Sequence, residues 1–61
     1  PRRQEILRII RDHRLASLDF LQRRFISVSG RLLRYDLKKL ADGGFIRKRG
    51  ITRGAVYEAI L

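Results

Sequence analysis

The stretch of residues 29–44 limits the fold of this chain most, because it contains the start, the body and the stop of one amphipathic helix. Ser29 is a good N-cap, since its hydroxyl can accept a hydrogen bond from an unpaired amide of the first turn. Gly43 and Gly44 close the stretch and supply the positive-φ backbone that ends a helix. Leucines at spacings of four and three predict one buried stripe: Leu33, Leu37 and Leu40. We therefore predict a helix over residues 30–42.

The opposite face of the predicted helix is mostly cationic. It carries Arg31, Tyr35 and Lys38, flanked by Arg34 and Lys39. Any solvated helix exposes some charge, and pairing with acidic neighbours would favour that simpler interpretation. Only Asp36 and Asp42 are close in sequence, and Asp36 lies off the line from Arg31 to Lys38. Because an α-helix fits the major groove of DNA, a leucine-backed helix with an outer cationic face is typical of nucleic-acid recognition.

Chain length and composition exclude several classes of function. A chain of 61 residues forms one domain over residues 1–61 with a small core, because such a chain buries only roughly 60% of its unfolded surface. There is no Cys and a single His, so cysteine-ligated and multi-histidine metal sites are excluded. No run approaches the roughly 18 apolar residues of a membrane span. We expect no enzyme activity, no cofactor, no metal, no membrane association and a cytoplasmic location.

The charge of the chain is strongly positive and uneven. There are 15 Lys and Arg residues against 6 Asp and Glu, which gives a net charge of +9. Residues 31–53 hold eight basic and two acidic residues, so +6 of that charge lies in and after the predicted recognition helix. Solubility alone needs no such asymmetry. The distribution indicates a polyanionic partner.

Two further helices precede the recognition helix. The first is predicted over residues 2–13, where Ile6, Ile9 and Ile10 share one face. A short connector over residues 14–16 leads to Ser17, which is expected to cap a second helix over residues 18–25. His13 in the last turn of the first helix suits the helix dipole. Phe20 points away from the apolar stripe of its helix, and is either an exposed contact or packed against the first helix.

After Gly44 the spacing of apolar residues is no longer that of a helix. Residues 45–49 and 55–60 are β-compatible runs around a five-residue loop bounded by glycines, which predicts a β-hairpin. The fold class is therefore α+β, mostly α, with three helices and a two-stranded hairpin. The apolar positions of the three helices and their turns predict the core: Ile6, Ile9, Ile10, Leu18, Leu21, Phe25, Val28, Leu33, Leu37 and Leu40.

Several motifs along the chain resemble the winged helix-turn-helix domain at the N-terminus of DeoR-type bacterial regulators. They are Arg-Arg-Gln-Glu-Ile-Leu at 2–7, Arg-Phe at 24–25, Val-Ser at 28–29, Arg-Tyr-Asp-Leu-Lys-Lys-Leu at 34–40 and Gly-Phe-Ile at 44–46. The resemblance covers residues 2–50 well and the rest loosely. It implies a three-helix winged helix-turn-helix in which the hairpin is the wing. Tyr35 stands where that family usually has Arg, and residues 26–27 lengthen its usual turn.

The expected function is binding of double-stranded DNA, with the recognition helix in the major groove and the wing, residues 47–54, beside it. The chain would be a transcription-regulator domain or the DNA-targeting module of a larger protein, associated with the nucleoid when bound. Tight binding would need a homodimer or covalently attached domains. The expected contacts with bases and phosphates are Ser29, Arg31, Arg34, Tyr35, Lys38, Lys39, Lys48, Arg49 and Arg53.

Two other binding functions stay open at this point. A winged helix can serve protein–protein interaction instead, because fold alone does not fix function; exposed Phe20 and Leu32 would be its sign. Single-stranded nucleic acid or RNA is a further alternative, but it favours several exposed aromatic side chains for base stacking. Here only Tyr35 and Phe20 qualify.

Overall fold

The computed structural model describes residues 1–50 and 54–60, and it shows three helices and three short strands. In chain order the elements are α1 (Arg2–His13), β1 (Leu15–Ser17), α2 (Leu18–Arg24), α3 (Gly30–Asp42), β2 (Ile46–Arg49) and β3 (Val56–Ala59). The coarse prediction of a mostly helical α+β fold is confirmed. The bounds of α1 and α3 coincide with those expected from the sequence, and α2 ends one residue earlier than expected.

The sheet has three antiparallel strands in the order β1-β3-β2, so the expectation of two strands was wrong. Residues that were expected to be a connector form β1, in which Ala16 stands opposite Tyr57 of β3. On the other side of β3, Lys48 of β2 also stands opposite Tyr57. The extra strand gives β3 a partner on both edges, and it ties the end of α1 to the C-terminal part of the chain.

Arg14 makes the sharp change of direction between α1 and β1. Its φ of 68° and ψ of −44° lie in a region that residues with a Cβ rarely adopt. Its carbonyl oxygen accepts a hydrogen bond of 3.3 Å from the amide of Ala59. The sheet therefore holds this residue in a strained turn.

Serine side chains cap α2 and α3. The Ser17 hydroxyl accepts a 3.0 Å hydrogen bond from the amide of Phe20 at the start of α2. The Ser29 hydroxyl accepts one of 3.2 Å from the amide of Leu32 at the start of α3. Both predicted caps are confirmed, and each satisfies an amide that has no partner within its helix.

Loss of the α2 cap is expected to destabilise the protein measurably. Ser17→Ala should lower the free energy of unfolding by about 1 kcal/mol, because one amide of the first turn loses its acceptor. Urea unfolding followed by circular dichroism measures this. The matched control is Ser27→Ala, an exposed position in the α2–α3 turn, which should change stability by less than about 0.5 kcal/mol. Equal effects of the two substitutions would show that the cap contributes nothing.

Both glycines after α3 were expected to have a positive φ, but Gly43 keeps a φ of −81° and Gly44 alone of the two makes the left-handed turn. Gly44 has a φ of 82°, and its amide donates to the Ala41 carbonyl at 3.0 Å. The amide of Phe45 donates to the Leu40 carbonyl, also at 3.0 Å. This pair of bonds is the Schellman arrangement, which needs a left-handed residue after the helix. It directs the chain from α3 straight into β2.

The core lies between the three helices and the inner face of the sheet. Its buried side chains are Ile6, Ile9, Ile10, Ala16, Leu21, Leu33, Leu37, Leu40, Ile46 and Tyr57. Leu18, Phe25 and Val28, which were expected in the core, are only partly buried against it. Ala16, Ile46 and Tyr57 were not expected there, and all three come from the strands.

Candidate nucleic-acid interface

The outer face of α3 is open to solvent along its length. Burial of Leu33, Leu37 and Leu40 turns the opposite side of the helix outward. Tyr35 keeps 51% of its surface exposed. The cations predicted on this face are all exposed: Arg31, Arg34, Lys38 and Lys39.

Carboxylates compensate few of these cations. Lys38 forms an exposed pair with Asp42, 3.3 Å from Nζ to Oδ2, and such an i,i+4 pair is worth only about 0.3–0.5 kcal/mol. Among the described residues, four of the predicted contact residues have no carboxylate oxygen within 4.0 Å: Arg31, Arg34, Lys39 and Lys48. Their charge is therefore available to an external anion.

A groove runs between α3 and the sheet and brings two of the predicted contacts together. Arg34 lines it from α3, Lys48 from β2 and Tyr57 from β3. Lys48 stands opposite Tyr57, and opposite residues of paired strands share a face, so its side chain is on the helix side of the sheet. The other lining residues come from the end of β1, from α2 and from the segment just before β3: Ser17, Leu18, Asp19, Gln22, Gly54 and Ala55.

Tyr57 supplies a neutral hydroxyl at the base of this groove. Burial raises the pKa of its phenol above the ordinary value of 10.0, and the nearby positive charge of Arg34 opposes that rise. The phenol is protonated at neutral pH, so its hydroxyl can donate a hydrogen bond.

Arg49 is separated from this groove. It lies on the outer face of the sheet, where Arg47 and Arg49 both contact the carboxylate of Glu58 at 3.2 and 3.4 Å. Glu58 thus neutralises part of the charge that the wing was expected to present. Arg53 falls in residues 51–53, which lie outside the described residues.

Asp36 forms a buried ion-pair cluster with two arginines of α1, which was not predicted from the sequence. Its side chain is 2% exposed, although it lies on the helix that carries the cations. Its Oδ2 accepts from Arg2 Nε at 2.5 Å and its Oδ1 accepts from Arg3 Nε at 3.2 Å. Burial alone would raise the pKa of this carboxyl, but the hydrogen bonds and charges of the two arginines outweigh it and hold the pKa below 3.8.

Tyr35 lies between two cations. The Arg3 guanidinium carbon is 5.8 Å from the centre of its ring, and Lys39 Nζ is 5.5 Å from the same point. Both distances are within the range of a cation–π interaction. The first turn of α1 therefore reaches the face of α3 that carries the predicted contacts.

The single histidine, His13, lies at the end of α1 and contacts Phe20 of α2. His13 packs its ring 5.0 Å from that of Phe20, and its Nδ1 donates to the Ile9 carbonyl, 2.9 Å away. Phe20 is thus packed against the end of α1 and is not an exposed contact. Within residues 1–50 and 54–60, no three acidic or histidine side chains are grouped to hold a metal ion. Across the same residues no helix is both long and apolar enough to span a membrane.

Comparison with family models, with curated proteins and with solved structures gave no match for this chain. Its function is therefore inferred from the geometry of its own residues.

Proposed function

We propose that the chain is a winged helix-turn-helix domain in which α2 and α3 form the helix–turn–helix unit. The order of elements and the antiparallel pairing of β2 with β3 support this class. In it, the connection between β2 and β3 is the wing. The motifs shared with the DeoR-type domain support the same assignment.

The domain binds double-stranded DNA, with α3 in the major groove. The observation that carries this proposal is the exposed face of α3, on which Arg31, Arg34 and Lys39 have no carboxylate partner among the described residues. Arg31 lies near the helix N-terminus, the end from which side chains reach base edges in this class. Its planar guanidinium can pair in a bidentate manner with guanine. Arg34 and Lys48 line the groove on the protein surface beside α3, and their positions suit contacts with the phosphate backbone.

Titration of labelled duplex DNA at several salt concentrations tests the proposal. A single domain is expected to bind with a dissociation constant of about 10⁻⁴ to 10⁻⁶ M. Affinity should fall as salt rises, because each neutralised phosphate releases bound counterions. A single strand of the same sequence should compete poorly, because base stacking favours several exposed aromatic rings, and among the described residues only the rings of Tyr35 and Phe45 are exposed. Absence of duplex binding at low salt would refute the proposal.

Arg31→Ala is expected to reduce discrimination between DNA sequences by about 1–3 kcal/mol. The physical reason is the loss of a bidentate contact with a base edge, while the phosphate contacts remain. Selection from a random duplex library, followed by affinity measurements on the selected site and its single-base variants, gives the value.

The control is Arg23→Ala on α2, an exposed arginine that pairs with Asp19. It should leave discrimination unchanged. If Arg31→Ala weakens binding to every duplex by the same factor, Arg31 contacts a phosphate and does not read a base.

A protein partner is the second candidate function, favoured by two exposed apolar side chains near the start of α3. Ile26 in the α2–α3 turn is 86% exposed and Leu32 is 44% exposed. Single exposed apolar residues are common on protein surfaces, and Phe20, the other expected sign, is packed. Ile26→Ser with Leu32→Ser would separate the functions, because duplex affinity should survive if these residues serve a protein partner alone.

A further inference from the structure

The starting observation is an imbalance of charge around Asp36. Its single carboxylate binds both Arg2 and Arg3, so the three side chains together carry one uncompensated positive charge. Both contacts use Nε, and among the described residues no hydrogen bond joins a terminal guanidinium nitrogen of Arg3 to a carboxylate. The Arg3 side chain is 46% exposed. It can therefore donate hydrogen bonds to an external anion.

The position of Arg3 relative to α3 determines which surface this charge joins. Its guanidinium lies over the ring of Tyr35, and Lys39 approaches the same ring. Tyr35 is half exposed on the outer face of α3. Arg3 is therefore adjacent to the proposed DNA-contacting residues, although it belongs to a different helix.

The arrangement also restricts the motion of Arg3. A long side chain loses about 0.5–1.5 kcal/mol of conformational freedom when an interface immobilises it. Here the buried carboxylate of Asp36 and the ring of Tyr35 hold the guanidinium before any ligand arrives. A preorganised cation of this kind binds an anion at lower entropic cost than a free surface arginine.

We infer that Arg3, held by Asp36 and stacked on Tyr35, is a further phosphate-contacting residue, so that the DNA surface extends from α3 onto the first turn of α1. This inference rests on the proposed function. Asp36 acts as a positioning residue: it touches no DNA and fixes the guanidinium that does.

The test compares Arg3→Gln, Arg3→Lys and Arg8→Gln with the unaltered chain, using one mixed-sequence labelled duplex over a series of salt concentrations. Arg8 is the matched control, since it is an exposed arginine of α1 grouped with Glu5 and Arg24. Arg3→Gln should lower the magnitude of the slope of log affinity against log salt by about 0.9, the value for one phosphate. Arg3→Lys should keep the slope, because it keeps the charge. Thermal unfolding shows whether each variant is folded.

The outcomes separate the inference from the function on which it rests. If the unaltered chain binds the duplex and Arg8→Gln changes the slope as much as Arg3→Gln does, Arg3 makes no specific contact and the inference is wrong. If Arg3→Gln alone is unfolded, the NMR signal of the Arg3 Nε–H group in the unaltered chain decides: it should shift when the duplex is added, and a signal that does not move while duplex binding is observed would overturn the inference. If the unaltered chain binds no duplex, the proposed function itself fails.

Discussion

Leu37→Ala is expected to cause the largest loss of folding stability of the single substitutions proposed here. Leu37 is fully buried, in the middle of the α3 stripe, and truncating such a leucine costs about 2–5 kcal/mol through lost burial and the cavity left behind. A domain of 61 residues has a total stability of roughly 3–9 kcal/mol. One substitution therefore removes a large share of the total. Urea unfolding followed by circular dichroism measures the loss.

The neighbouring residue supplies the control. Lys38→Ala alters an exposed side chain whose pair with Asp42 is solvated, and it should change stability by less than about 0.5 kcal/mol. If Leu37→Ala cost as little as Lys38→Ala, the stripe would not face the core and the outward direction of Arg31 and Tyr35 would be wrong too.

Asp36→Asn is expected to lower the free energy of unfolding by about 1–3 kcal/mol at neutral pH, because it removes the charge that holds Arg2 and Arg3. The half-exposed arginines keep the loss below that of a fully buried pair. Folding lowers the pKa of Asp36 from its ordinary value of 3.8. The charged carboxylate therefore stabilises the fold at pH values above 3.8, and this stabilisation is lost as the pH falls through the lower pKa of the folded protein. The difference in the free energy of unfolding between Asp36→Asn and the unaltered chain should therefore become smaller at pH values below 3.8.

Unfolding of both proteins at a series of pH values measures this difference. Asp12→Asn is the control, since Asp12 is exposed on α1 and has no cation within 4.0 Å among the described residues. At each pH, the free energy of unfolding of Asp12→Asn should stay within about 0.5 kcal/mol of that of the unaltered chain. A constant difference between Asp36→Asn and the unaltered chain down to the lowest pH would show that the Asp36 charge does not stabilise the fold.

The helices were predictable because their signals are local. Ser17 and Ser29 mark two starts, the isoleucine and leucine spacings give the buried faces, and Gly44 marks a stop. Strand β1 has no such signal. Three residues are too few to show an alternating pattern, and they become a strand because Leu15–Ser17 find a partner in β3, some forty positions later in the chain.

The candidate site was predictable in part for the same reason. Helical periodicity placed Arg31, Tyr35 and Lys38 on one face of α3, and that face is exposed. The contacts of Asp36 depend on residues 34 and 33 positions away, which periodicity within one helix does not reveal. One signal was present: Asp36 lies three residues after Leu33 and four before Leu40, beside the buried stripe, where a carboxylate needs cations.

The middle strand of the sheet, β3, is the last of the three strands in the chain and so the last to be synthesised. Neither β1 nor β2 has a strand to pair with until Val56–Ala59 has been synthesised, whereas the residues of all three helices are complete by Asp42. Before β3 pairs with them, β1 and β2 have no strand partner, and the place of Tyr57 in the core is empty. Pairing of β3 with β1 and β2 completes the fold, and a chain that ends before residue 56 would lack this pairing.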